Sequence, residues 1–101
     1  MIVVNAIIEA DQETITNLTD AISAMEAASQ AEEGCDDYTF SVELNNPNVL
    51  RITERWHSME HLNAHFATPH MREFQASMGA HPPKSVSATF YEATEVQRPG
   101  A

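Results

Sequence analysis

Residues 52–74 read Ile-Thr-Glu-Arg-Trp-His-Ser-Met-Glu-His-Leu-Asn-Ala-His-Phe-Ala-Thr-Pro-His-Met-Arg-Glu-Phe and hold the only Trp and four of the five His of the 101-residue chain. Leu50, Ile52, Glu54 and Trp56 alternate, which puts a carboxylate and an indole on one face of a strand beside two aliphatic side chains. Ser58 is a helix N-cap by residue type, and Leu62 and Phe66, four apart, give the helix behind it an apolar stripe with His61 and His65 beside it. Thr68 followed by Pro69 is a second start signal, and Met71, Phe74 and Met78 continue at helical spacing.

Working outward, residues 2–9 are rich in Ile and Val and form a first strand. Asn5 is its oddity: either it satisfies a backbone group or it points into a cavity. Asp11 or Thr14 caps a long helix whose Ile15, Leu18, Ile22, Met25 and Ala28 make one apolar stripe, with Gly34 expected as its left-handed C-cap. Tyr38, Phe40, Val42 and Leu44 alternate in a second strand. Asn45-Asn46-Pro47-Asn48 is a turn by composition, and Val49 to Trp56 pairs back as a hairpin. After a break at residues 79–83, Ser85 to Glu95 is the last strand.

The order strand, helix, strand, strand, helix pair, strand predicts an α+β chain of one domain over residues 1–101, a ferredoxin-like antiparallel sheet with helices on one face. Tyr38, Phe40, Val42, Leu44, Leu50, Ile52, Val86 and Phe90 are expected toward the helices. Thr39, Ser41, Arg51, Thr53, Arg55, Ser87, Thr89 and Tyr91 are left on the other face, polar but weakly charged, as a covered surface would be.

Five Lys plus Arg against fifteen Asp plus Glu give a formal charge of -10, which disfavours nucleic acid and anionic membranes as partners. The N-terminus lacks a basic region before its short apolar run, and no run approaches membrane-spanning length, so a cytoplasmic location is expected. Cys35 is the single Cys; within one chain it can form neither a disulfide nor a Cys-based zinc site, and it reads as a small core residue.

Glu54-x-Trp56-x-Ser58, Leu62-x-x-His65 and Thr68-Pro69-His70-Met71, together with Glu33-Gly34-Cys35, resemble the antibiotic biosynthesis monooxygenase family, most closely its small quinol monooxygenases. The resemblance implies a homodimer in which two sheets meet face to face as a dimeric α+β barrel. It implies oxidation of a quinol or polyphenol-like small aromatic by O2 without metal, flavin or haem. A pocket built from Glu54, Trp56 and His65 is expected, with Asn5 entering from the neighbouring strand. His65 is then the base, Asn5 a hydrogen-bond donor to oxygen, and Trp56, Phe66 and Phe74 are walls. Leu62 lies beside His65, Glu54 orients the histidine, His70 is a cap or pocket wall, and Tyr91 is a cavity or dimer-interface phenol.

Other readings remain beside this one. Glu54 can instead pair with Arg51 or Arg55, and Trp56 can be a core aromatic. The His61 and His65 spacing suits zinc, with Glu60 or His57 near, but no Glu directly follows the first His and only one of the two need face inward; no metal is expected. His57 and His81 are expected to be exposed. A haem-degrading branch of the family uses Asn, Trp and His where this chain has Asn5, His65 and Gln75, which argues against haem. A branch acting on a small phosphorylated signalling sugar, a non-catalytic binding module and a dimer with a closed pocket are the alternatives.

Overall fold

The computed structural model describes residues 1–100 and has the order β1 (Ile2–Glu9), α1 (Gln12–Gln30), β2 (Cys35–Glu43), β3 (Asn46–Trp56), α2 (Met59–Phe66), α3 (Pro69–Ala80) and β4 (Ser85–Glu92). The sheet runs β2-β3-β1-β4 with every neighbouring pair antiparallel, the ferredoxin-like α+β topology expected from the order of elements. The N-terminal strand thus lies inside the sheet and the C-terminal strand at its edge. The chain ends of the sheet are tied together where the Met1 amino group donates to the Ala93 carbonyl at 3.1 Å.

Local signals explain the helix starts. The Asp11 carboxylate accepts from the Thr14 N–H at 2.8 Å, so Asp11 rather than Thr14 caps α1. Ser58 and Thr68 cap α2 and α3 through the N–H groups of His61 and Met71. Thr68 also donates its hydroxyl to the His65 carbonyl at 2.8 Å. One side chain therefore closes α2, opens α3 and fixes the corner between them.

Three expectations are corrected. Gly34 does not cap α1, which ends at Ala31 in ordinary right-handed geometry; Gly34, at φ 79°, makes the later turn into β2. Its missing side chain matters twice there, because a Cβ would stand 2.3 Å from the His61 ring. The hairpin turn is Leu44-Asn45, and Asn46-Pro47-Asn48 is extended as the start of β3. Tertiary hydrogen bonds override the turn composition: Gln12 Nε2 donates to the Pro47 carbonyl at 2.7 Å and to Asn48 Oδ1 at 2.9 Å, while the Ala10 N–H donates to the Asn48 carbonyl at 2.9 Å. Finally, β4 ends at Glu92 rather than Glu95.

Strand alternation decides what is buried. Ile2, Val4, Ala6 and Ile8 of β1, Leu50, Ile52 and Trp56 of β3 and Tyr38 of β2 meet Met25, Leu62 and Phe74 of the helices in one core. The helices cover only the middle of the sheet. Val42, Val86 and Phe90 point to the helical side yet remain about half exposed, and Leu44 lies in the turn. Every residue of β4 is exposed. Among the described residues no helix is long and apolar enough to cross a membrane.

Candidate functional site

Between the sheet and the α2–α3 corner lies a buried cluster in which titratable groups and aromatic rings interleave. Trp56, the last residue of β3, is fully buried and donates its Nε1–H to Glu54 Oε1 at 3.0 Å. This bond answers the alternative of an ion pair for Glu54: Arg51 lies on the opposite face by alternation and pairs instead with Glu43 at 3.2 Å. Burial drives the Glu54 carboxyl up to about 7; the Trp56 hydrogen bond pulls it down, and the Glu32 carboxylate pushes it further up.

His65 faces inward from the last turn of α2 and is completely buried. Its ring lies 4.7 Å from Trp56, 5.4 Å from Tyr38 and 5.7 Å from Phe66, measured between centroids. Its Nδ1 meets Glu32 Oε2 at 2.5 Å, and the same oxygen takes His70 Nε2 at 2.8 Å. A carboxylate only accepts, so each of these nitrogens carries the hydrogen and His65 keeps its lone pair on Nε2. That Nε2 is buried and has no hydrogen-bond partner among the described residues. Burial holds the imidazole below its ordinary pKa; the Glu32 bond and charge work the other way, and His70 reinforces the lowering. Burial thus favours the neutral form of His65.

Glu32 is the site residue that the sequence reading missed. It stands in the turn between α1 and β2, bracketed by the Glu32 N–H to Ser29 carbonyl bond at 3.0 Å and the Cys35 N–H to Glu32 carbonyl bond at 3.2 Å. Its partners lie 33 and 38 positions further along the chain, beyond any helical or strand period. The available signal was its place directly before Glu33-Gly34-Cys35. Tyr38, read as a core strand residue, is the second addition, a buried ring whose hydroxyl burial holds well above the ordinary phenol range.

The expected residues divide between the two faces. Glu54, Trp56, Leu62, His65 and Phe74 lie on the helical side, packed as a buried cluster, with His70 half-buried beside them. Phe66 is 48% exposed and lies over the His65 ring, 6.4 Å from Phe90. Asn5 and Tyr91 are not in this cluster. Asn5 pairs with Thr53 and Thr89 on the opposite face, and both line an open depression there of about 370 Å³ with Arg51 and Ser87. Even-numbered β1 residues face the helices, so an odd-numbered one cannot.

His61 turns away from His65. Its Nδ1 contacts Ser58 Oγ at 2.7 Å and its ring covers Gly34, while His57 pairs with Asp36 at 2.8 Å, so the i,i+4 spacing of His61 and His65 does not bring the two rings to one point. The ionisable groups that do converge are Glu32, His65 and His70, whose ligand-capable atoms lie within 4.8 Å of one another. The cluster comes nearest to solvent through His70, which lines a depression of about 270 Å³ between α1 and α3 with Met25, Glu73 and Phe74.

A helix-backed antiparallel sheet with a buried, aromatic-lined histidine defines a small α+β protein with an inward-facing polar cluster. The antibiotic biosynthesis monooxygenase family pattern matches residues 1–77, and the chain belongs to that family. Solved structures agree on the fold. A Deinococcus radiodurans protein assigned to the same family superposes with a TM-score of 0.90 at 24% identity, covering 97% of both chains. A conserved Methanosarcina mazei protein gives 0.85 at 25% identity over 92% of both chains. A Nitrosomonas europaea protein assigned to the family gives 0.87 at 14% identity, over 94% of this chain and 100% of its own. No match was found among curated proteins.

Proposed function

We propose that the protein is a monooxygenase that oxidises a quinol or polyphenol-like aromatic with O2, with His65 as the base and no bound cofactor taking part. One observation carries this reading: Glu32 holds His65 at Nδ1, and the opposite nitrogen, Nε2, is buried with no hydrogen-bond partner among the described residues, while burial lowers the imidazole pKa and so favours its neutral form. A carboxylate that holds one ring nitrogen and leaves the other free to accept a proton is the arrangement general-base chemistry requires. A quinol hydroxyl placed at Nε2 would transfer its proton there. The electron-rich anion then passes an electron to O2, and recombination of the radical pair forms the new carbon–oxygen bond. One quinol and one O2 give one hydroxyquinone and one water, so the substrate supplies every electron. Trp56, Tyr38 and Phe74 exclude water from the reacting pair. Phe66, half exposed beside the His65 ring, is the side chain whose displacement would admit a substrate.

The open face supports a second part of the proposal, that two copies pair sheet to sheet. Asn5, Thr53, Thr89 and Tyr91 give this face a polar, weakly charged surface. A two-fold contact would cover it and add buried area to a short chain.

Oxygen uptake by metal-stripped protein with a panel of hydroquinones tests the reaction. Uptake equimolar with quinol and without peroxide release is expected, and His65→Ala should lower it by roughly 100- to 10,000-fold, the span of a positioned base. Peroxide release equal to the oxygen consumed would make the protein an oxidase instead. No uptake above the blank, with ligand-dependent thermal stabilisation, would make it a binding protein.

A further inference from the structure

Glu32, His65 and His70 come from three separate elements, the α1–β2 turn, the end of α2 and the first turn of α3, and converge on a single point. Both imidazoles aim a ring nitrogen at one carboxylate oxygen, Nδ1 of His65 at 2.5 Å and Nε2 of His70 at 2.8 Å. We propose that this trio is a binding site for a first-row divalent cation of the zinc class, held by Glu32, His65 Nδ1 and His70 Nε2.

Two imidazoles and a carboxylate are a donor set that zinc, iron, cobalt and manganese all accept, with further coordination positions left to water. Oxygen-only cations such as magnesium and calcium are poorly matched to two nitrogen ligands. A cation would take the place of the two hydrogen bonds, with the Glu32 carboxylate drawing back from both rings, and packing holds the elements around it. His65 packs against both Tyr38 and Trp56, the Thr68 cap holds the backbone at Met71 directly after His70, and Glu32 sits in a turn with hydrogen bonds on both sides. His70 also lines the depression between α1 and α3, so one member of the trio faces solvent on that side. The formal charge of -10 raises the local concentration of cations around the chain.

Metal binding and proton abstraction exclude one another at His65. In the metal-free chain the proton is on Nδ1 and the lone pair on Nε2. A cation on Nδ1 displaces the hydrogen there, and the neutral ring then carries its one hydrogen on Nε2, where no substrate proton can be accepted. This last consequence rests on His65 being the base; the binding itself does not. The cation would act as an off-switch rather than as the reactive centre.

Titration of metal-stripped full-length protein with Co2+, followed by its visible absorption and by displacement with Zn2+, tests the site without any turnover. One Co2+ per chain is expected. Glu32→Gln and His70→Asn should each weaken binding by more than the roughly 10- to 100-fold that loss of an outer-shell partner costs. His57→Asn, which alters the separate His57–Asp36 pair, should bind as the parent does. Circular dichroism establishes that each variant is folded. Absence of Co2+ binding, or binding kept in the first two variants and lost in the third, overturns the proposal. Where quinol oxidation is present, stoichiometric Zn2+ should abolish it; where it is absent, the cobalt titration still decides the site.

Discussion

The two faces of the sheet are made by the same four strands and differ by one position along each, yet they have become chemically distinct. On the covered face the polar groups are few and buried: Glu54 and His65 lie among Tyr38, Trp56, Leu62 and Phe74. On the open face Asn5, Thr53, Thr89, Arg51 and Arg55 stay exposed. Desolvation, which scales with how much water a neighbour excludes, is what separates them. It moves Glu54 up to about 7 and lowers His65, and a residue placed one step along the strand would escape it.

The largest test of this contrast is Trp56→Ala. The indole is fully buried, so its removal should cost about 3–5 kcal/mol of unfolding free energy, read from urea denaturation. A loss below about 0.5 kcal/mol, the usual span of a surface change, would show that the covered face is not a packed core. Glu54→Gln should have the next largest effect, and its sign depends on pH. The folded carboxyl holds its proton up to about 7, whereas the unfolded one releases it near 4.5. Across that interval the folded chain binds more protons, so this group's contribution is full below 4.5 and is lost as pH rises through 7, a change of about 3 kcal/mol. The glutamine variant should therefore gain on the parent as pH rises from 4.5 to 7. His65 acts oppositely: because its folded pKa is lowered, its contribution is present above 6.5 and falls away as the medium becomes more acidic. With Glu54 replaced, that residual slope should be what remains.

The smallest effect on the fold is expected from Thr53→Glu, at the centre of the open face between Asn5 and Thr39. The fold of one chain should change by no more than about 0.5 kcal/mol. Across a two-fold contact, however, two new carboxylates would face one another, and sedimentation should show the mass falling to that of a single chain. A parent protein that already sediments as one chain would remove the pairing and leave the two-face contrast intact.

Much of the covered face was legible in the sequence. Leu50, Ile52, Glu54 and Trp56 alternate cleanly, and Thr68-Pro69 announces α3, so the strand-to-helix passage and its inward His65 could be placed. Asn5 could not be assigned from its own strand, because Ile2, Val4, Ala6 and Ile8 on one side and Val3 and Ile7 on the other leave both faces apolar. Pairing with β3 and β4 settles the matter, and pairing is a long-range property. Glu32 was hidden for a related reason: its role depends on where a turn puts it relative to helices more than thirty residues away. Asn46-Pro47-Asn48 misled because turn composition competes with Gln12, a hydrogen-bond partner that only folding brings near.

The exposed last strand has a consequence for how the molecule withstands damage. β4 contributes no buried side chain, but its backbone satisfies the outer hydrogen-bonding row of β1 along the whole length from Ile2 to Glu9. Proteolytic loss of β4 would leave the cluster's own residues in the chain while turning β1, rich in Ile and Val, into a raw edge open to strands from other molecules. The C-terminal strand is thus a guard against self-association, and clipping it should show first as aggregation.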